Sequence, residues 1–200
     1  MKLNIGCGRT PFTDWINLDR INLPGVDLIC DLEECATTPI PLGDNSVEEF
    51  YMSHVLEHIK NPLPMMQELH RIAKPDARFT ILVPYGSSDG AWEDPTHVRL
   101  YFKDSFGYFG QPYYWLADYG YRGDWKVEKV DLILPDSPLR FVPTIEEITE
   151  AIQQKRNMVN EMVAVMRAVK PIRPASSELR DAPALHYLFD LNNLNEPIIQ

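Results

Sequence analysis

Leu3-Asn4-Ile5-Gly6-Cys7-Gly8 is the stretch that decides the fold class. A short apolar run enters a Gly-X-Gly turn, and a second run, Trp15 to Asp19, closes on a carboxylate. Glycines at such a turn let the backbone approach a ligand closely, and an acid ending the next strand can hold ribose hydroxyls. The pair points to a nucleotide-like cofactor. A dinucleotide does not fit. Arg9-Thr10-Pro11 stands where a third glycine belongs, and Asp19 arrives well before the position about 20 residues on that such a site expects.

Working outward, the chain alternates strand and helix signals, which predicts an α/β fold on a mostly parallel, Rossmann-like, doubly wound sheet. Strands are expected at Lys2–Ile5, Ile16–Asp19, Val26–Cys30, Val47–Met52 and Arg78–Val83. A helix is expected from Pro62 to Ala73, with prolines in its first turn, where a missing N–H costs little. Leu63, Met66, Leu69 and Ile72 give it an apolar stripe, and Lys74-Pro75-Asp76 ends it. Pro39 to Ser46 reads as a loop. Between Gly6 and Trp15 there is room for little more than one turn, so the first helix is expected to be shortened.

The bulk properties set limits. Two hundred residues suit one domain with a proper core, and 44% hydrophobic with 24% charged residues are ordinary globular values. No run of 18 apolar residues occurs, and Met1-Lys2-Leu3 enters a strand directly, so neither a membrane span nor a signal peptide is expected. Cys7, Cys30 and Cys35 have no zinc-type spacing and cannot all pair, which predicts reduced thiols and a cytoplasmic location. A net charge of −10 with scattered Lys and Arg disfavours a nucleic-acid partner and favours a small-molecule substrate.

The second half changes texture. Tyr101, Phe102, Phe106, Tyr108, Phe109, Tyr113, Tyr114, Trp115, Tyr119, Tyr121 and Trp125 place about half the aromatic residues in one segment. They form either a satellite hydrophobic cluster or an aromatic lid, about residues 85–124, over a pocket. Trp125–Leu134 reads as a strand, Asp136-Ser137-Pro138 as a turn and Leu139–Val142 as a strand that pairs back. Thr144-Ile145-Glu146-Glu147 has the form of a capping box. Behind it Ile145, Ile148, Ile152, Val159, Met162, Met166 and Val169 keep a 3-4 spacing that predicts a long C-terminal helix, ended by Pro171 and Pro174. Its stripe would pack on the chain's own sheet or on a second subunit, making a homodimer. An extended tail follows Pro174.

Six motifs occur in order: Leu3 to Gly8; Asn17-Leu18-Asp19; Asp31-Leu32; Asp44-Asn45-Ser46-Val47-Glu48; His54-Val55-Leu56-Glu57-His58-Ile59; and Glu68 to Pro75. Over roughly residues 1 to 97 the chain resembles the class I S-adenosylmethionine-dependent methyltransferases of the small methyltransferase-11-like type. The resemblance implies S-adenosyl-L-methionine as cofactor, with a methyltransferase domain over 1–143 and a C-terminal helix and tail over 144–200. It maps the cofactor's amino-acid part to Gly6, Cys7 and Gly8, and its ammonium to Asn4, a neutral amide where many members have an acid. It maps the ribose to Asp19 with Arg20 beside it, the adenine to Asp31 and Leu32, and one pocket wall to His54.

Methyl transfer needs an aligned nucleophile and a route for its proton. His54 and His97 are the expected catalytic residues, since each follows a strand's carboxyl end. Glu57 is expected as a structural partner and Asp94 as an orienter of His97 or a turn former. His54 and His58 at i, i+4, with Glu57 and His97, also make four ligands of metal-binding type. Ubiquinone-pathway O-methyltransferases and small-RNA 3′-terminal 2′-O-methyltransferases are similar here, carrying Glu-x-x-Glu-His and binding a divalent metal. His54 replaces their first glutamate, and no metal is assigned on sequence. The expected reaction is methylation of an oxygen or nitrogen of a small molecule, a sugar or another metabolite. The alternatives are a metal-assisted RNA 3′-terminal 2′-O-methyltransferase and a non-catalytic cofactor-binding or assembly protein.

Overall fold

The computed structural model describes residues 1–135 and 144–189. Its frame is one eight-stranded sheet in the order β3-β2-β1-β4-β5-β7-β6-β8. The strands are β1 (Lys2–Ile5), β2 (Ile16–Asp19), β3 (Leu28–Ile29), β4 (Val47–Ser53), β5 (Ala73–Pro84), β6 (Trp125–Ile133), β7 (Glu161–Ala168) and β8 (Ala184–Leu188). β7 runs antiparallel to both its neighbours, and the other pairings are parallel. The first two predicted strands match residue for residue, Val26–Cys30 narrows to β3, and Arg78–Val83 lengthens to β5.

Strand order reverses between β1 and β4, which opens a crevice at the carboxyl ends of those strands. Helix α1 (Pro62–Ile72) connects β4 to β5 and lies where the apolar stripe predicts. It buries Met65, Met66, Leu69 and Ile72 completely, each contributing about 1.5–3 kcal/mol by leaving water. α2 (Gly90–Glu93) is a single turn, and α3 (Ile145–Gln154) starts at the Thr144 cap, whose hydroxyl accepts from the Glu147 amide.

The shortened first helix is not a helix at all. Residues 6–15 are turns, because ten residues containing Pro11 and a left-handed Asp14 leave no room for one. Side chains hold them instead: Asn17 accepts from the Phe12 amide and donates to the carbonyls of Phe12 and Trp15.

The long C-terminal helix is corrected too. α3 stops at Gln154, and residues 161–168 form β7, hydrogen-bonded between β5 and β6. Met162 to Met166 are all apolar and all buried. An unbroken apolar run contains the 3-4 spacing as a subset, so it satisfies a helical template and suits a strand covered on both faces equally well. The stripe expected to seat a second subunit is therefore central sheet, and Ile148 of α3 is buried against the chain's own core.

The aromatic segment is mostly core. Phe106, Phe109, Tyr114, Tyr121 and Trp125 are buried in the main hydrophobic cluster, and Trp125 donates its indole N–H to the Met66 carbonyl. The Tyr121 and Tyr114 hydroxyls donate to the carbonyls of Phe109 and Tyr108. Asp124, fully buried, locks this segment to the C-terminal stretch by accepting from the backbone and guanidinium of Arg173. The predicted turn at Asp136-Ser137-Pro138 and strand at Leu139–Val142 lie outside the described residues. Among the described residues no helix is long and apolar enough to cross a membrane.

Candidate functional site

Gly6 and Gly8 follow β1 with φ of 66° and 51°, the left-handed region where glycine is unstrained. A Cβ on Gly6 would meet Val55 Cγ2 at 2.2 Å, so the turn packs directly on the segment after β4. A Cβ on Gly8 would meet nothing within 4 Å. That side of the turn, at the switch point, is open.

The turn's amides are committed to the protein. Gly6 and Cys7 N–H both donate to the Leu18 carbonyl, and Gly8 N–H donates to Asp19 Oδ2 at 2.8 Å. Asp19 Oδ1 accepts from the Ile21 amide. A carboxylate offers about four lone-pair positions, so Asp19 keeps capacity for two further donors. Asn4 is buried and donates to Asn17 Oδ1 at 3.0 Å and to the Thr10 carbonyl. Its amide group braces the turn. Cys7 is buried, and desolvation raises its thiol pKa. Arg20 is exposed beside Asp19. Asp31, past the end of β3, caps a short 3-10 turn by accepting from the Glu33 amide, and Leu32 is buried beneath it.

β4 delivers His54. Its amide donates to the Leu82 carbonyl of β5, and its φ is 53°, an uncommon conformation for a residue other than glycine. Its imidazole lies between two acids, with Nε2 3.1 Å from Glu161 Oε1 and Nδ1 3.3 Å from Glu57 Oε1. Hydrogen bonding to Glu161, with the Glu57 carboxylate close by, raises its pKa to about 9 against the opposing effect of burial. Glu161 had no place in the sequence-based site because it was assigned to a helix. The only signal for it was its position as the charged residue heading the buried run 162–166.

A single turn, Leu56–His58, carries the next two groups. The Glu57 carbonyl accepts from the amides of Val98 and Arg99, which folds the loop after α2 back onto this turn. His97 thereby meets His58, their ring centroids 4.8 Å apart. His97 Nδ1 faces the Ala91 carbonyl at 3.1 Å and so carries the proton. His58 Nδ1 faces both the Thr96 carbonyl and the Thr96 hydroxyl, which itself donates to Asp94 Oδ1 at 2.6 Å. Asp94 Oδ2 lies 3.8 Å from His97 Nε2, beyond hydrogen-bond range. The Thr96 hydrogen bonds lower the Asp94 pKa.

His54, Ser88, Asp89, Asp94, His97 and Glu161 border a cleft of ≈ 840 Å³. Described residues from the aromatic stretch 101–125 do not line it; the front of the expected lid, residues 88–97, does. The structure thus brings His54, Glu57, His58 and His97 together, and leaves Asp19, Asp31 and Arg20 along the neighbouring strand ends.

Residues 3–81 match the family model described as a methyltransferase domain. No curated protein matches the sequence. The chain is similar in structure to an S-adenosylmethionine-dependent methyltransferase from Archaeoglobus fulgidus, at 18% identity over 83% of this chain and 85% of that one, with a TM-score of 0.56. It is also similar to a second such enzyme from Thermotoga maritima, at 16% identity over 84% and 81%, with a TM-score of 0.52. A third likeness is to a chain from a Haloferax volcanii complex between the Trm112 methyltransferase activator and a methyltransferase, at 16% identity over 84% and 82%, with a TM-score of 0.51. At these identities the likenesses report a shared fold.

Proposed function

From the match of residues 3–81 to a methyltransferase-domain family, we propose that the chain is a class I S-adenosylmethionine-dependent methyltransferase that methylates an oxygen or nitrogen of a small molecule, a sugar or another metabolite, held in the cleft beside His54 and His97. The supporting observation is adjacency. Gly6 packs on Val55, the residue after His54, so the glycine turn adjoins the segment that carries His54 to the cleft.

Bound S-adenosylmethionine supplies an electrophilic methyl group, whose bond to sulfur breaks as the acceptor's lone pair forms the new one. Gly6, Cys7 and Gly8 give its amino-acid end a close backbone approach, with Asn4 bracing the turn. Asp19 accepts from the ribose, Arg20 flanks it, and Asp31 with Leu32 borders the adenine. The polypeptide's remaining work is alignment and proton handling. His97, its Nδ1 proton held by the Ala91 carbonyl, borders the cleft that holds the acceptor. The Glu161 carboxylate, 3.1 Å from the His54 ring at the cleft, receives the acceptor's proton, and the protonated His54 ring orients it. Three free cysteines support a reducing, cytoplasmic location.

Incubation with methyl-labelled cofactor and a panel of hydroxyl- and amine-bearing metabolites tests this reading. Label should enter a small acceptor, and His97→Ala should abolish that transfer while the cofactor still binds. Transfer that survives His97→Ala and His54→Ala unchanged would remove the catalytic assignment.

A further inference from the structure

Glu57 carries an unresolved electrostatic burden. Its side chain is 2% exposed, and neither carboxylate oxygen accepts a hydrogen bond. His54 Nδ1 is near, at 3.3 Å from Oε1, but out of line for a hydrogen bond. The His54 ring thus supplies charge but no hydrogen bond, and a buried carboxylate whose oxygens accept none has room for a further partner.

The neighbouring donors indicate what that partner is. Glu57, His58 and His97 each present one ligand atom, and all three atoms lie within 4.8 Å of one another. His97 Nε2 stands 3.9 Å from Glu57 Oε1. Both rings have Nδ1 committed, His97 to the Ala91 carbonyl and His58 to Thr96. That fixes the tautomer and leaves each Nε2 lone pair free, as in histidines that bind metals with an oriented outer partner. Thr96 is itself held by Asp94, so the support has a second tier.

We propose that Glu57, His58 and His97 form a binding site for one divalent transition-metal ion, with its remaining coordination position open to the cleft. Two imidazoles and one carboxylate favour a borderline ion such as Zn²⁺ or Co²⁺ over Mg²⁺, which prefers oxygen ligands in octahedral array. Bonds of about 2.0–2.1 Å require the donors to draw in by about an ångström, a shift that side-chain rotation supplies. His54, bonded to Glu161, borders the ion from outside its ligand set. The ion's role rests on the proposed methyl transfer: it would hold an acceptor oxygen and favour its ionised form. The site itself stands on geometry alone.

The test uses full-length protein without an affinity tag, stripped by chelator and titrated with Zn²⁺, Mg²⁺ and Co²⁺, the last read by its visible absorption. One Zn²⁺ or Co²⁺ should bind per chain, much more tightly than Mg²⁺. Glu57→Gln and His58→Ala should each weaken binding about 100-fold or more, and Thr96→Val about 10- to 100-fold. Glu57→Gln should also raise the melting temperature of the metal-free protein, which shows that the variant folds. Absence of saturable binding, or affinity unchanged in Glu57→Gln and His58→Ala, would overturn the site. S-adenosylhomocysteine titrated into the same samples separates the two readings. Cofactor binding without metal binding defeats the metal site alone, and metal binding without cofactor binding defeats methyl transfer alone.

Discussion

The Gly8 amide donates to the Asp19 carboxylate at 2.8 Å, tying the turn after β1 to the end of β2. One carboxylate thus shapes the glycine turn and is the group proposed to hold the cofactor's ribose. Asp19→Ala removes both functions. Loss of charge-assisted hydrogen bonds worth about 1.5–3 kcal/mol predicts roughly 10- to 100-fold weaker binding of S-adenosylhomocysteine by calorimetry.

Gly6 permits no side chain. Its φ is 66°, and a Cβ would lie 2.2 Å from Val55 Cγ2. Gly6→Ala should destabilise the fold by about 2–5 kcal/mol, combining left-handed strain with overpacking. Adding Val55→Ala should recover the overpacking part while leaving the backbone part, a split that urea denaturation of the single and double variants measures.

Asp124 and Arg173 are coupled in the interior, with Asp124 wholly buried. Asp124→Ala leaves the guanidinium to Asp181 alone and removes several charge-assisted hydrogen bonds, and should cost about 1.5–3 kcal/mol in a chemical melt. Paired with Arg173→Met, the loss should be smaller than the sum of the two single losses.

His70 links stability to pH. Burial, chiefly, lowers its pKa below the ordinary 6.5, while its Nε2 faces the Val169 carbonyl at 3.1 Å. The folded state therefore holds the neutral ring when the unfolded chain has taken a proton. This contribution is complete above about pH 6.5 and is lost as the pH falls from there toward the folded-state value. Urea midpoints at pH 7.5 and 5 should differ less in His70→Gln than in the parent.

Glu161 reaches the site only through the β7 placement. Glu161→Gln should lower the turnover of methyl transfer by about 10²-fold, as expected for losing a proton acceptor. Affinity for S-adenosylhomocysteine should stay unchanged, as a kinetic and calorimetric comparison would show.

The amino-terminal half was legible because its signals were short and punctuated. Gly6 and Gly8, the acid at Asp19 and the prolines at 62 and 64 each mark a boundary that local geometry enforces. Beyond Lys155 the signal was ambiguous. Met162 to Met166 are apolar at every position, so periodicity could not separate a strand from a helix, and sheet pairing with β5 and β6 decided it. The site divided along the same line. His54 and His97 followed from strand ends, whereas the contacts of Glu161 with His54 and of Thr96 with His58 join distant segments that no local pattern encodes.

Calorimetric titration of the native, full-length protein with S-adenosylmethionine tests the central claim most directly. Saturable binding at one site per chain is predicted, weakened by Asp19→Ala and unaffected by Glu161→Gln. A folded protein that takes up no S-adenosylmethionine across the millimolar range would contradict it.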